Sequence, residues 1–266
     1  MPPDPNSTAP TAPTAPTAQG RCQCDPACRQ PALPGSPFCA HHKQCPRKAP
    51  LTGFEPPYEP EKYNRHKGVR ESHNCYTYAF NYLRLPKNKS CTKTSCPLPF
   101  PQPGRASGYP KWSDVKGKRC PDLLARIMGD VPGSTATTFT RQCPKGQRKI
   151  AVVADEQEDY HFYRQDADGY WSHKPGATEV IRRDATDRPI YDPQLASRRY
   201  PRSGIDYDQF CSFLCIPATT RHRLKRGGGT KAKAKKTKTK AKRAKTKRAK
   251  TKKAKAKEPR LSDLLV

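Results

Sequence analysis

Three residues in the middle of the chain have types and a spacing that suit acyl-transfer chemistry. Cys75 falls in the first turn of a predicted helix, where free backbone amides and the helix dipole favour a thiolate. His161 lies on a predicted strand, and His173 follows 12 positions later on the next one. A nucleophilic thiol would then have an imidazole base and a second imidazole to orient that base. The pattern predicts a triad of these residues; the alternative is an inert buried cysteine and two ordinary strand histidines.

The elements that must position the triad follow from hydrophobic periodicity. Apolar or aromatic side chains at 76, 79, 80 and 83 predict a helix over 75–84, capped by Ser72 or Asn74 and ended by Pro86. Leu123, Leu124 and Ile127 make a stripe that predicts a second helix at 121–128. Apolar runs separated by turn residues then predict three antiparallel strands, at 149–155, 160–166 and 169–175. The expected fold class is therefore α+β.

The turn between the two histidine strands decides whether the histidines share a face. A three-residue loop at 167–169, with Gly169 left-handed, pairs Tyr163 with His173 and places His161 and His173 on one face of the sheet. A two-residue turn shifts the register by one position and places the two histidines on opposite faces. The triad therefore requires the three-residue loop.

Beyond these patterns, the chain resembles a known superfamily. The segments NCYTYAFN, CPKG, KIAVVAD, DYHFYRQDADGYWSHKPG and FCSFLCIP follow one another within 45–217. They are similar to a set of largely uncharacterised proteins of bacteria and large DNA viruses that are assigned to the NlpC-type papain-like cysteine peptidases and amidases. The resemblance implies a papain-like fold in which the Cys helix packs on an antiparallel sheet. It also implies Cys75 as nucleophile, His161 as general base and His173 as the orienting residue.

The resemblance implies a cysteine hydrolase or acyltransferase that acts on an amide, a peptide or an ester. The thiolate would attack a carbonyl, with the Cys75 backbone amide contributing to the oxyanion hole, and the acyl group would pass to water or another acceptor. Tyr63 lies 12 residues before Cys75, where the cell-wall enzymes carry a substrate-facing tyrosine; the alternative is a packing tyrosine. The second hypothesis for the whole protein is a catalytically inactive papain-like module that binds or packages DNA.

A cluster of cysteines and histidines near the start of the chain has the spacing of a small zinc site. Two close pairs of soft ligands, separated by a loop with Pro34 and Gly35, suit tetrahedral coordination of a structural zinc ion. The predicted ligands are Cys24, Cys28, Cys39 and His42, with Cys22, His41 and Cys45 as further candidates. The cysteines scattered through the rest of the chain are expected to be buried thiols or optional disulfides.

Composition divides the chain into four segments. Hydrophobic residues make up only 33% of the sequence and 30 residues are proline, so much of the chain cannot form a core. A Pro/Thr/Ala arm at 1–20 and a Lys-rich tail at 225–266 are expected to be disordered. Between them lie the zinc segment, 21–46, and the papain-like core, 47–224. No apolar run approaches the roughly 20 residues of a membrane helix, so no membrane span is expected.

The basic tail predicts a nucleic-acid partner. The net charge is +29, and residues 225–257 contain 18 Lys or Arg and no acid, a composition similar to linker-histone tails. Such a segment neutralises phosphates without reading bases. The predicted contacts include Lys231, Lys235, Lys236, Lys242, Arg243, Lys247, Arg248, Lys252 and Lys253. With no leader recognised, the expected location is intracellular, in a virion or in the nucleus or viral factory of a host of a large DNA virus.

Overall fold

The fold is α+β, and its main element is an antiparallel sheet of five strands. The computed structural model describes residues 20–84, 102–111, 119–155 and 159–219. The arm predicted at 1–20, except Gly20, and the whole tail predicted at 225–266 lie outside the described residues.

Four helices precede the sheet or flank it within the described residues. They are α1 (Glu61–Asn64), α2 (Lys67–Ser72), α3 (Cys75–Ala79) and α4 (Cys120–Asp130), and a short 3-10 helix spans Ala40–His42. The helix expected at 75–84 is present but ends early, because Asn81 adopts a left-handed conformation with φ of 52°. Its predicted end at Pro86 lies outside the described residues. The helix expected at 121–128 is confirmed as α4.

In the part of the chain that the structure describes, seven strands form two sheets. They are β1 (Thr135–Thr137), β2 (Gln147–Ala154), β3 (Tyr160–Gln165), β4 (Trp171–His173), β5 (Arg199–Tyr200), β6 (Ile205–Asp206) and β7 (Gln209–Pro217). The large sheet has the order β1-β7-β2-β3-β4, and β5 pairs with β6 separately. The three predicted strands are confirmed as β2, β3 and β4, which form a meander. The last strand within the described residues, β7, lies between β1 and β2 in the sheet.

The large sheet is buried on both faces along β2. Ile150 and Val152 point into a cluster with α3 and α4, whereas Ala151 and Val153 point into a second cluster around Trp171. This division follows from the pleat, because successive side chains of a strand point to opposite faces. The helix that carries Cys75 therefore packs on one face of the sheet.

Two disulfides join β7 to other parts of the chain. Cys120 at the start of α4 bonds Cys211, and Cys143, in the segment before β2, bonds Cys215. These four cysteines are thus disulfide-bonded, one of the two states expected for them. Separately, no helix in the described parts of the chain is long and apolar enough to cross a membrane.

Candidate catalytic and metal-binding sites

A reciprocal cap fixes Cys75 as the first residue of α3. The Asn74 side-chain oxygen accepts from the Thr77 amide at 3.1 Å, and the Thr77 hydroxyl accepts from the Asn74 amide at 2.9 Å. This capping box satisfies two backbone donors that a helix start otherwise leaves free. Of the two cap candidates, Asn74 is therefore confirmed. The Cys75 side chain is directed at β3, where its sulfur lies 4.0 Å from the Tyr160 carbonyl oxygen.

The two histidines share one face of the sheet. Tyr163 pairs with His173, and Gly169 has a φ of 89°, so the loop is the three-residue form that the triad requires. His161 Nε2 lies 2.7 Å from His173 Nδ1. His173 Nε2 lies 2.9 Å from the carbonyl oxygen of Arg183. The structure thus brings the predicted base and the predicted orienting residue into direct contact.

The contacts of His173 determine which nitrogen of His161 is basic. A carbonyl oxygen only accepts, so His173 Nε2 carries a hydrogen, and neutral His173 must accept at Nδ1. His161 Nε2 is then the donor in the bond between the rings, which leaves the lone pair of neutral His161 on Nδ1. Burial lowers the pKa of His173 to about 4, and burial together with His173 lowers the pKa of His161 well below its ordinary value. At neutral pH His161 is therefore an uncharged base.

Cys75 and His161 line the same cavity, whose volume is about 520 Å³. Its other walls come from Asp159 at the end of the β2–β3 connection, the loop after β4, and tyrosines of β3, β5 and the β6–β7 segment. The loop after β4 is held by Lys174, whose ammonium group donates to the carbonyl oxygens of Arg70, Gly176 and Thr178 at 2.6 to 2.8 Å. The predicted nucleophile and the predicted base therefore line the same cavity.

Cys75 is a neutral thiol in the resting protein. Burial raises the pKa of its thiol well above the ordinary value, and the negative charge of Asp159 raises it further. The lowered pKa expected from the helix start is therefore wrong. The physical reason is that only 5% of Cys75 is exposed and that α3, with five residues, has too short a dipole to offset burial. Any attack by this sulfur requires His161 to take its proton.

Tyr63 packs in the core. Its hydroxyl donates to the carbonyl oxygen of Tyr82 at 3.1 Å, and its ring stands edge-on to Tyr78 at 5.0 Å between centroids. Tyr63 does not line the cavity that contains Cys75. The structure therefore favours the packing alternative for this tyrosine.

A second cluster, remote in sequence from the triad, could hold a metal ion. One ligand atom each from Cys22, Cys28, Cys39 and His42 lie within 4.8 Å of one another. Three of the four predicted ligands are thus brought together. The prediction for Cys24 is wrong, because Cys24 forms a disulfide with Cys45 and has no thiolate to offer. Cys22, one of the further candidates, takes its place.

The segment that contains the Cys/His cluster is attached to the loop that follows β4, the strand of His173. The Gln23 amide nitrogen donates to the Pro189 carbonyl at 3.2 Å, and its side-chain oxygen accepts from the Tyr191 amide at 2.7 Å. Arg47 adds an ion pair with buried Asp192 at 2.5 Å. These contacts hold residues 20–50 against residues 184–192.

Two sets of residues lie apart from the predicted triad and metal ligands: the predicted nucleic-acid contacts and three residues in or next to the cavity. The nine predicted nucleic-acid contacts lie outside the described residues. The sequence patterns did not identify Asp159 and Tyr207, which line the cavity. They also did not identify Lys174, which holds the loop after β4 through hydrogen bonds to Gly176 and Thr178. The sequence signals are slight: a run of acidic residues, DEQED at 155–159, and a lysine directly after His173 in WSHKPG.

The fold and sites define a class: an α+β protein with a buried Cys-His-His group and a separate Cys/His cluster. The chain is 37% identical over 141 residues to insoluble matrix shell protein 1 of Ruditapes philippinarum. That match covers 53% of this chain and 80% of the shell protein, so the chain belongs to the same family as that protein. No protein-family model and no solved structure matches the chain.

Proposed function

We propose that the protein is a cysteine hydrolase or acyltransferase that acts on an amide, a peptide or an ester through Cys75, His161 and His173. The observation that carries this proposal is the 2.7 Å bond between the two histidines at a cavity that Cys75 also lines. A papain-like relationship, suggested by the sequence resemblance, is part of the same proposal.

In the proposed reaction His161 acts as a general base. His161 Nδ1 takes the thiol proton as the Cys75 sulfur attacks the substrate carbonyl, and His173 accepts the Nε2 hydrogen bond of the resulting imidazolium. The proton then passes to the leaving group as the tetrahedral intermediate collapses to a thioester. Water or a second nucleophile releases the acyl group and restores the thiol. General-base attack fits a site in which the resting thiol and both imidazoles are neutral.

We further propose that the Cys/His cluster holds a structural zinc ion. In a tetrahedral site with zinc–sulfur distances of about 2.3 Å, two sulfurs lie about 3.8 Å apart, and a sulfur and a nitrogen lie slightly closer. The Cys28 and Cys39 sulfurs are 3.8 Å apart, and His42 Nδ1 lies 3.4 Å from the Cys39 sulfur and 3.5 Å from that of Cys22. Three thiolates and an imidazole suit zinc better than a hard cation.

The proposed location is an oxidising one. The described cysteines form three disulfides, which persist outside the reducing cytosol. The related protein is named as an insoluble matrix shell protein, which also favours an extracellular matrix over the intracellular location expected from the sequence. The Lys-rich tail would bind polyanions by charge alone, wherever the protein is located. Nucleic acid is the polyanion that we propose as its partner.

The second candidate function is a matrix or DNA-binding protein without catalysis. The name of the related shell protein favours it, and so does the burial of Cys75, of which 5% is exposed. In this case Cys75 is an inert thiol of the core and the basic tail is the functional part.

A turnover screen separates the two candidates. Wild type and Cys75→Ala are assayed with amide, peptide and ester substrates, and Cys75→Ser serves as the conservative control. The enzyme hypothesis predicts turnover of at least one substrate by wild type and none by Cys75→Ala. If both proteins give the same background rate with every substrate class, the protein is not an acyl-transfer enzyme.

A further inference from the structure

The cavity beside Cys75 has the opposite charge character to the chain as a whole. The chain carries a net charge of +29, yet the described residues that line the cavity include the carboxylate of Asp159 and no Lys or Arg. Lys174 lies directly before the cavity loop, but it is fully buried and its ammonium is held by three carbonyl oxygens. The described walls of this cavity are therefore acidic, in contrast to the basic chain.

Tyrosine rings form part of the remaining wall. Tyr160, Tyr200 and Tyr207 all line the cavity. The Tyr207 ring stacks on His161 with 5.3 Å between centroids, and its hydroxyl donates to Asp159 Oδ2 at 3.4 Å. Aromatic faces beside a carboxylate form a favourable environment for an organic cation. The same tyrosine therefore touches both the predicted base and the acidic group.

The charge of Asp159 acts on the Cys75 thiol. Burial raises the pKa of both the Cys75 thiol and the Tyr207 hydroxyl, and the negative charge of Asp159 raises both pKa values further. An ammonium group bound at Asp159 would therefore lie close to an acyl group carried by Cys75. A bound anion would be repelled from the same place.

We propose that the cavity binds a primary alkylammonium group, the chemistry of a lysine side chain, as the acceptor of the acyl group from Cys75. The proposal rests on the proposed acyl-transfer function and specifies its second substrate. Asp159 binds the ammonium, and the tyrosine rings cover its alkyl chain. The protein would then form amide bonds to lysine side chains in preference to hydrolysing the thioester.

The chemistry balances without a further reactant. The bound ammonium loses one proton to solvent, and the neutral amine attacks the thioester carbonyl. The new C–N bond forms, the C–S bond breaks, and a second proton passes from the amine through His161 Nδ1 to the Cys75 sulfur. One thioester and one ammonium give one amide, one thiol and one proton. Lysines of the segment 225–257 of this chain, or of another protein, could supply the acceptor.

The test measures how much of the acyl group goes to the amine and how much goes to water. The full chain is given a p-nitrophenyl ester in the presence of pentylamine, or of pentanol, which has the same length but no charge. The amide product should rise to saturation with pentylamine, and the ester product should stay at background with pentanol. Asp159→Asn should lower the ratio of amide to hydrolysed product by about tenfold. Asp187→Asn, which removes an exposed carboxylate that does not line the cavity, should keep the wild-type ratio.

The outcomes separate this inference from the proposed function. Ester cleavage with no saturable amide formation, or equal ratios for Asp159→Asn and Asp187→Asn, would overturn the acceptor site and leave the acyl-transfer function standing. Absence of Cys75-dependent cleavage would overturn both. A second measurement does not require turnover: pentylamine should change the rate of iodoacetamide labelling of Cys75 saturably in Asp187→Asn and not in Asp159→Asn. Peptide mapping of acylated lysines then shows whether the acceptor is in 225–257 or in an added protein.

Discussion

At the scale of single residues, burial sets the protonation of Cys75 and of the two histidines. The resting state is a neutral thiol and two neutral imidazoles, because desolvation outweighs the helix start at Cys75. Sequence position alone predicts the opposite for Cys75. A sequence shows which residue begins a helix, but the depth of that residue depends on packing against β3 and α4, which are distant in the chain.

The two histidines should differ in their effect on activity. His161→Ala removes the base and should lower kcat/KM by about 10² to 10⁴. His173→Ala should leave part of the activity, because it removes only the group that holds the His161 tautomer. Steady-state kinetics of both variants, with His66→Ala as a histidine control outside the cavity, makes the comparison. Equal and negligible losses in the first two variants would exclude the triad.

The reactivity of Cys75 should increase at unusually high pH. Only the thiolate reacts with iodoacetamide, and burial holds the Cys75 pKa above the usual value of about 8.5, so the thiolate forms only as pH rises beyond that range. Rates measured by peptide mapping between pH 6 and 10 should therefore remain below those of free N-acetylcysteine at each pH. Fast labelling at pH 6 would instead show a thiolate at rest and would contradict the neutral site.

At the scale of elements, local patterns predicted much of what positions the site. The meander, the start of α3 and α4 follow from periodicity, and the hairpin register that places His161 and His173 on one face is one of the two that turn chemistry allowed. The sequence reasoning did not place β7, which pairs with strands more than 50 residues earlier, and it could not tell Cys22 from Cys24 as a ligand. Both depend on the path of the whole chain: β7 on non-local pairing, and Cys24 on a disulfide to Cys45.

The segment that contains the Cys/His cluster should bind about one zinc ion per chain. Cys22→Ser combined with Cys39→Ser should abolish metal binding, because it removes two of four ligands. Cys24→Ser combined with Cys45→Ser is the matched control, since it removes two cysteines and a disulfide but no ligand. Metal analysis of protein prepared without chelator makes the measurement. Zinc-free wild type, or loss of zinc in the control alone, would refute the assigned ligand set.

At the scale of the whole molecule, charge separates the tail from the described fold. Deletion of 225–266 should leave the melting temperature unchanged and strongly reduce affinity for duplex DNA, because 18 basic residues lie within 225–257. If eight phosphates are neutralised, a plot of log affinity against log salt concentration should have a slope of about −7. A full-length chain with Gln in place of these Lys and Arg residues should behave like the deletion. Sequence-selective or salt-insensitive binding would contradict a purely electrostatic tail.

The central claim, that Cys75 carries an acyl group with the help of His161, can be tested by intact-protein mass spectrometry. Protein mixed with p-nitrophenyl acetate and quenched in acid should gain one acetyl group, which peptide mapping should place on Cys75. The same treatment should leave Cys75 unmodified in His161→Ala and acetylated in His66→Ala. An unmodified Cys75 in wild type, or equal acetylation in wild type and His161→Ala, would contradict the account.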